Sequence, residues 1–136
     1  MSEKIRVLLS EEEVDSRIRE IAAKISRDYA GKEIHLICVL KGGVFFTCEL
    51  AKRITVPVTL DSGRTLSYLI DILGKRKPES IHLCTLLDKP ERRVRDVKVD
   101  YSCFNIPDEF VVGYGLDYAQ KYRNLPFIGV VELGEN

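Results

Sequence analysis

The spacing of apolar residues changes several times along the chain, and each change marks a different element. Val14, Ile18, Ile21 and Ile25 recur at intervals of four, three and four, which places them on one face of a helix. Ser10-Glu11-Glu12-Glu13 stands just before them in the form of a capping box, Ser10 accepting from the Glu13 amide while Glu13 reaches back. Gly31 occupies the place of a C-cap. Ile34-His35-Leu36-Ile37-Cys38-Val39-Leu40 is then nearly continuous in apolar residues, the pattern of a strand buried on both faces. Lys41-Gly42-Gly43 breaks it, and Phe45 to Ile54 returns to helical spacing.

Val56-Pro57-Val58-Thr59-Leu60 predicts a second strand, its proline near the start where the missing N–H is tolerated. Asp61-Ser62-Gly63 predicts a turn. A helix from Arg64 should carry Leu66, Leu69, Ile70 and Leu73 on one face, with Lys75-Arg76-Lys77 at its negative pole and Pro78 to stop it. Ile81 to Leu87 and Val99 to Phe104 predict two further strands, Phe110 to Val112 a short extended piece, and Phe127 to Glu132 a late strand. Strands alternating with helices imply βαβ units: an α/β domain over residues 1–136 with a mainly parallel, doubly wound sheet flanked by helices.

Composition narrows the possibilities without naming a chemistry. Forty-five per cent hydrophobic residues suffice for a real core, and 21 basic residues balance 21 acidic ones, so charge makes no case for a nucleic-acid or membrane partner. No apolar run approaches the roughly 18 residues of a membrane span. Cys38, Cys48, Cys84 and Cys103 sit apart, each in an apolar segment, and are expected as buried thiols in a reducing, cytoplasmic setting. His35 and His82 each lie three residues from a cysteine, an offset that sends strand side chains to opposite faces and makes no metal site.

Ligands of open α/β sheets bind beyond the carboxyl ends of the strands, and the loops predicted there are unusual. Lys41-Gly42-Gly43 joins paired glycines, which let backbone amides approach an anion, to a positive charge; the same residues also suit a plain turn. Asp61-Ser62-Gly63-Arg64-Thr65 offers hydroxyls and free amides at a helix start, fitting either an ordinary N-cap or a phosphate cradle. Lys89 follows the third strand. Asp117 and Arg123 could serve a metal-bound polyphosphate or stand as exposed charges.

Taken together and in order, these segments resemble the bacterial hypoxanthine phosphoribosyltransferases over essentially the whole chain. The resemblance rests on Leu40-Lys41-Gly42-Gly43, Asp61-Ser62-Gly63-Arg64-Thr65, Leu87-Asp88-Lys89-Pro90, Phe110-Val111-Val112-Gly113-Tyr114-Gly115-Leu116-Asp117 and Tyr122-Arg123-Asn124-Leu125-Pro126-Phe127. It implies a Rossmann-like, type I phosphoribosyltransferase fold. The implied reaction moves a phosphoribosyl group from phosphoribosyl pyrophosphate to hypoxanthine or guanine, giving IMP or GMP and pyrophosphate with Mg2+. Lys41, Gly42 and Gly43 resemble the pyrophosphate loop, with a cis Leu40–Lys41 peptide, and Arg123 would contact the same group. Asp61 resembles the general base near purine N7, and Ser62, Gly63, Arg64 and Thr65 resemble the 5′-phosphate cradle. Lys89 would read the 6-oxo group, Phe110 would stack on the base, and the Val111 backbone would meet its exocyclic edge. Asp117 would help to hold the metal. Family members assemble as dimers or tetramers, so a homo-oligomer is expected.

One departure stands out. The family motif places a Glu-Asp pair shortly before Asp-Ser-Gly, whereas here Val58-Thr59-Leu60 runs straight into Asp61. The acidic pair that holds the ribose hydroxyls is therefore missing, and with it one parallel strand and the Ser-Tyr lid loop. So abrupt a join within intact motifs reads as an internal deletion, made deliberately. Two functional readings follow: an enzyme of reduced activity, or a non-catalytic nucleotide-binding or structural scaffold. The strand from Val56 to Leu60 is expected to take the missing central strand's place.

Overall fold

The computed structural model describes residues 3–63, 74–75, 77–89 and 98–134. The helix expected from Arg64, together with Arg64 and Thr65 themselves, lies outside these residues. The elements in order are β1 (Glu3–Leu9), α1 (Glu11–Asp28), β2 (Ile34–Val39), α2 (Val44–Arg53), β3 (Val58–Gly63), β4 (Cys84–Asp88), β5 (Tyr101–Asn105), β6 (Val111–Val112) and β7 (Ile128–Leu133).

Helix α1 organises the core. Its capping box is formed on both sides, Ser10 Oγ accepting from the Glu13 amide at 3.1 Å and the Ser10 amide donating to Glu13 at 3.2 Å. Val14 and Ile18 are fully buried and Ile21 and Ile25 nearly so, the face that the spacing predicts. They pack with Phe46 and Leu50 of α2, Leu86 of β4, and Tyr101 and Cys103 of β5 in one cluster. Arg17 on α1 reaches across to β5, donating to the carbonyls of Cys103 at 2.8 Å and Ser102 at 3.1 Å. Tyr101 Oη donates to Asp28 at 2.7 Å, tying the end of α1 to the same strand.

The strands form three ladders. β2 and β3 pair in parallel, Ile34 opposite Val58 through Val39 opposite Gly63. β4 and β5 pair in parallel. β1, β7 and β6 form an antiparallel sheet in the order β1-β7-β6. The chain is thus α/β, with two separate parallel pairs and one antiparallel three-stranded sheet among its described residues.

Four expectations change. β1 was not foreseen, although Ile5, Val7 and Leu9 alternate through it; an irregularity between Val7 and Leu9 lets Leu8 and Leu9 both reach the core. Asp61-Ser62-Gly63 is not a turn but the last half of β3, held there by pairing with Ile37, Cys38 and Val39. The run from Ile34 is not buried on both faces, because only Cys38 is fully enclosed and His35 and Val39 are exposed. Nor does β3 replace a central strand. Such a strand would pair on both sides, whereas among the described strands β3 pairs with β2 alone and Thr59 to Ser62 are all exposed. Of the cysteines, Cys38 and Cys103 are buried as expected, Cys84 is half-buried, and Cys48 on α2 is exposed.

Candidate active site

Two loops meet at the carboxyl end of β2. The first is the Leu40–Gly43 turn, which contains the cis Leu40–Lys41 peptide. Its amides are partly spent on closing the turn, Gly43 N donating to Val39 O at 3.3 Å and Val44 N to Lys41 O at 3.1 Å. A side chain on Gly43 would sit 2.9 Å from the Val39 carbonyl, so glycine is required for the chain to fold back so tightly. The Lys41 residue is exposed.

The second loop is Gly113–Arg123. Gly113 and Gly115 adopt φ of 94° and 97°, a backbone that glycine takes without cost. Gly115 comes so close to Gly42 that a Cβ on it would lie 2.6 Å from the Gly42 oxygen. Arg123 secures this loop, its amino group donating to Gly115 O at 2.7 Å while Gly115 N donates to Arg123 O at 2.9 Å. Asp117 lies 3.4 Å from the Arg123 guanidinium and accepts from the Gln120 amide at 2.9 Å. Lys41, Gly42, Gly43, Asp117 and Arg123 are thereby gathered at the carboxyl end of β2, two sequence-distant pieces in a single neighbourhood.

β3 delivers a third piece to the same end. Gly63 is opposite Val39, and its carbonyl accepts from Leu40 N at 3.2 Å, so Asp61, Ser62 and Gly63 arrive beside the Leu40–Gly43 turn. Asp61 is exposed; its carboxylate accepts from the Ser62 amide at 2.8 Å and lies 3.8 Å from His35 Nε2. His35 Nδ1 in turn is 2.8 Å from Thr59 Oγ1. His35 was not among the residues singled out for chemistry, because a histidine two positions from a half-buried isoleucine carries no motif of its own.

The remaining pieces gather at the carboxyl end of β4. Lys89 Nζ donates to the Glu109 carbonyl at 2.8 Å and lies 4.0 Å from Asp108. This fixes it next to Phe110, whose ring is 56% exposed and meets Tyr118 edge-on at 5.5 Å between centroids. Val111 is half-buried in β6 and pairs with Val130. Tyr118 belongs to the Gly113–Arg123 segment, so the Phe110 ring also links the Lys89 group to that loop. Asp61 makes no described contact with the Lys89 and Phe110 group, in keeping with the two separate parallel pairs.

A concavity of about 600 Å3 lies elsewhere, lined by Arg19, Ser26, Arg27, Arg53 and Thr55. Arg19 and Arg53 are committed to Asp15, and Arg53 also to Glu49, so this groove offers little free positive charge. The loops around Lys41 and Arg123 hold the better chemistry despite their open shape.

A strand-end glycine turn, a second glycine loop carrying an arginine and a carboxylate, and a lysine beside an exposed aromatic ring are the chemistry that this α/β domain presents at its strand ends, a set that could hold a phosphorylated ligand with a planar base. The chain belongs to the phosphoribosyl transferase domain family, whose model matches residues 8–61 and 59–119. It is similar to the hypoxanthine-guanine phosphoribosyltransferase of Streptococcus thermophilus, 36% identical over 167 positions that cover 93% of each chain. The Streptococcus mutans enzyme of the same name is 38% identical with the same coverage. Among solved structures, the hypoxanthine-guanine phosphoribosyltransferase of Bacillus anthracis aligns with a TM-score of 0.90 at 39% identity, covering 96% of this chain and 100% of that one. The hypoxanthine phosphoribosyltransferase of Trypanosoma cruzi, solved with its product IMP, aligns with a TM-score of 0.83 at 33% identity, covering 93% of this chain and 89% of that one.

The alignments also locate the deletion. An alignment of 167 positions against a chain of 136 residues contains at least 31 positions, the difference of the two, that the relative fills and this chain does not. The family model matches in two pieces that meet at residues 59–61. The join therefore falls within β3, at the point where the acidic pair is missing.

Proposed function

We propose that this chain is a purine phosphoribosyltransferase of salvage metabolism, acting on hypoxanthine or guanine with weakened catalysis. In the reaction, the bond from ribose C1 to pyrophosphate breaks, a bond from C1 to purine N9 forms, and the purine loses a proton. The apposition of Gly42 and Gly115 carries the reading, since it assembles Lys41, Arg123 and Asp117 where a pyrophosphate would leave. Amides and guanidinium would stabilise the charge that develops there. Ser62 and Gly63, with Arg64 and Thr65 beyond them, would cradle the 5′-phosphate. Lys89 would donate to the 6-oxo group, with Phe110 stacked on the base and the Val111 backbone at its edge. Asp61 would take the proton near N7, held by the Ser62 amide.

Mg2+ suits this arrangement, because magnesium is commonly held by one or two carboxylates together with substrate phosphates, and Asp117 supplies one such carboxylate. When bound it would neutralise the leaving pyrophosphate. Among the described residues no group of three or more potential metal ligands forms a site by itself. We further propose a cytoplasmic homo-oligomer, dimer or tetramer; among the described residues no helix is long and apolar enough to cross a membrane.

The loss of the acidic pair and the lid removes contacts that matter most in the transition state, at a cost of several powers of ten in rate. Binding depends on other residues and should survive. Thermal melting with IMP or GMP tests this: nucleotide at a hundred times its Kd stabilises by about 2.7 kcal/mol. Stabilisation by IMP and GMP but not by a pyrimidine nucleotide is expected. An unchanged Tm would leave the scaffold reading.

A further inference from the structure

Strand β1 lies in the antiparallel sheet β1-β7-β6, a hundred residues from Phe110 and Arg123 in the chain, yet two of its side chains reach the segments that carry them. Arg6 is the first. Its Nε donates to Glu132 on β7 at 2.7 Å, and a terminal amino group donates to Glu109 at 2.9 Å. The register explains why a cation is needed there. Val111 stands opposite Val130, and Val131 N donates to Phe110 O at 2.9 Å, so the ladder continues towards Glu109 and brings it across from Glu132. Like charges opposite each other in a sheet repel, and Arg6 bonds to both. Glu109 is also the residue whose carbonyl accepts from Lys89 Nζ at 2.8 Å, and Phe110 follows it directly. One residue thus sets both the lysine and the ring.

Glu3, at the start of β1, is the second. Its carboxylate accepts from Tyr122 Oη. Tyr122 has a φ of 75°, a left-handed backbone that a bulky residue keeps only where its surroundings hold it. Arg123 comes next in the chain. Its guanidinium donates to Gly115 O and its carbonyl accepts from Gly115 N, which keeps Gly115 against Gly42. The contacts therefore run from Glu3 through Tyr122 and Arg123 to the paired glycines. They share no residue with the contacts that Arg6 makes.

We infer that β1 braces the candidate site, with Arg6 a positioning residue for the purine side and Glu3 a positioning residue for the pyrophosphate side. The inference rests on the reading of Lys89 and Phe110 as base contacts and of Arg123 as an anion contact. In that reading neither Arg6 nor Glu3 touches ligand; each acts through one residue, Glu109 or Tyr122. The Arg6 ion pairs are open to solvent and add little to stability, and Glu3 stands at the very start of β1. Their removal should therefore leave the core intact and show in binding, one ligand for each.

The test measures affinity for IMP and, separately, for pyrophosphate with Mg2+, by calorimetry on the whole chain, with Tm recorded for each variant. Arg6→Gln should weaken IMP about threefold or more and leave pyrophosphate unchanged, and Tyr122→Phe should do the reverse. Adding Glu109→Gln to Arg6→Gln removes the repulsion from Glu132 and should restore most of the IMP affinity. Glu3→Gln keeps an oxygen to accept from the phenol and should keep pyrophosphate affinity. Glu3→Ala should match Tyr122→Phe, and the two together should lose no more than either alone. Equal losses for both ligands in each variant would mean a general loosening of β1 and would overturn the inference. So would unchanged affinities in Arg6→Gln or in Tyr122→Phe beside a wild-type chain that binds both ligands. A wild-type chain that fails to bind either ligand would refute the reading of the site, and the brace with it.

Discussion

The oxygen of Gly42 lies where it would come within 2.6 Å of a Cβ on Gly115, so two loops some seventy residues apart share one space only because residue 115 has no side chain. Gly115→Ala should force them apart. Its φ of 97° adds a backbone cost of about 1–3 kcal/mol for any other residue. A lower Tm together with weakened pyrophosphate binding is expected; an alanine variant that binds pyrophosphate normally would show that the apposition does not build the anion site.

Lys89 is expected to matter for ligand more than for folding. Its one described hydrogen bond goes to the Glu109 carbonyl, and the residue is only half-buried. Replacing a charged hydrogen-bond donor to the base with methionine should cost about 1.5–3 kcal/mol, a loss of roughly ten- to a hundredfold in IMP affinity, with little change in Tm. Titration calorimetry of Lys89→Met reads the affinity, and a thermal melt reads the Tm.

Removal of core volume under α1 should be severe. Ile18 is fully buried, so Ile18→Ala should destabilise by about 2–5 kcal/mol. Ser10→Ala, which removes the bond that the Glu13 amide donates to Ser10 Oγ, should cost about 1 kcal/mol. Urea denaturation should rank the two in that order.

Stability should fall on the alkaline side. Burial pushes the Cys84 thiol up to about 12 and that of Cys103 to about 11, and burial likewise pushes the Tyr114 phenol to about 12. Each group titrates higher in the folded chain than in the unfolded one. Its contribution is complete below the unfolded values, near 9.0 for the thiols and 10.0 for the phenol, and is lost as pH rises from there towards the folded values. Unfolding free energy should therefore decline from about pH 9 upward, less steeply in Cys84→Ala. At neutral pH iodoacetamide should label exposed Cys48 first and buried Cys38 and Cys103 only on unfolding.

Much of this could be read from the chain because local rules and the fold agree. The capping box, the helical face from Val14 to Ile25 and the two βα starts all stand where residues 10–54 place them, while the cis Leu40–Lys41 peptide was expected only from the family resemblance. Strand β1 was missed because Leu8 interrupts its alternation, and because its pairing partner β7 lies more than a hundred residues away. The misreading of Asp61-Ser62-Gly63 has a different cause. Those residues have turn chemistry, but the deletion attaches them directly to a strand, and parallel pairing with β2 overrides their local preference. The Gly42–Gly115 and Lys89–Glu109 contacts are tertiary and left no periodic trace. The segments that form them were found only because their order resembles a family.

The most direct measurement is pyrophosphate release from phosphoribosyl pyrophosphate and hypoxanthine with Mg2+, run beside Asp61→Asn. Asp61 is exposed and its described contacts are the Ser62 amide and His35, so the amide variant should remain folded. Slow turnover that depends on hypoxanthine and falls at least tenfold in Asp61→Asn is the predicted result. Release that is absent, or that Asp61→Asn leaves unchanged, would contradict it.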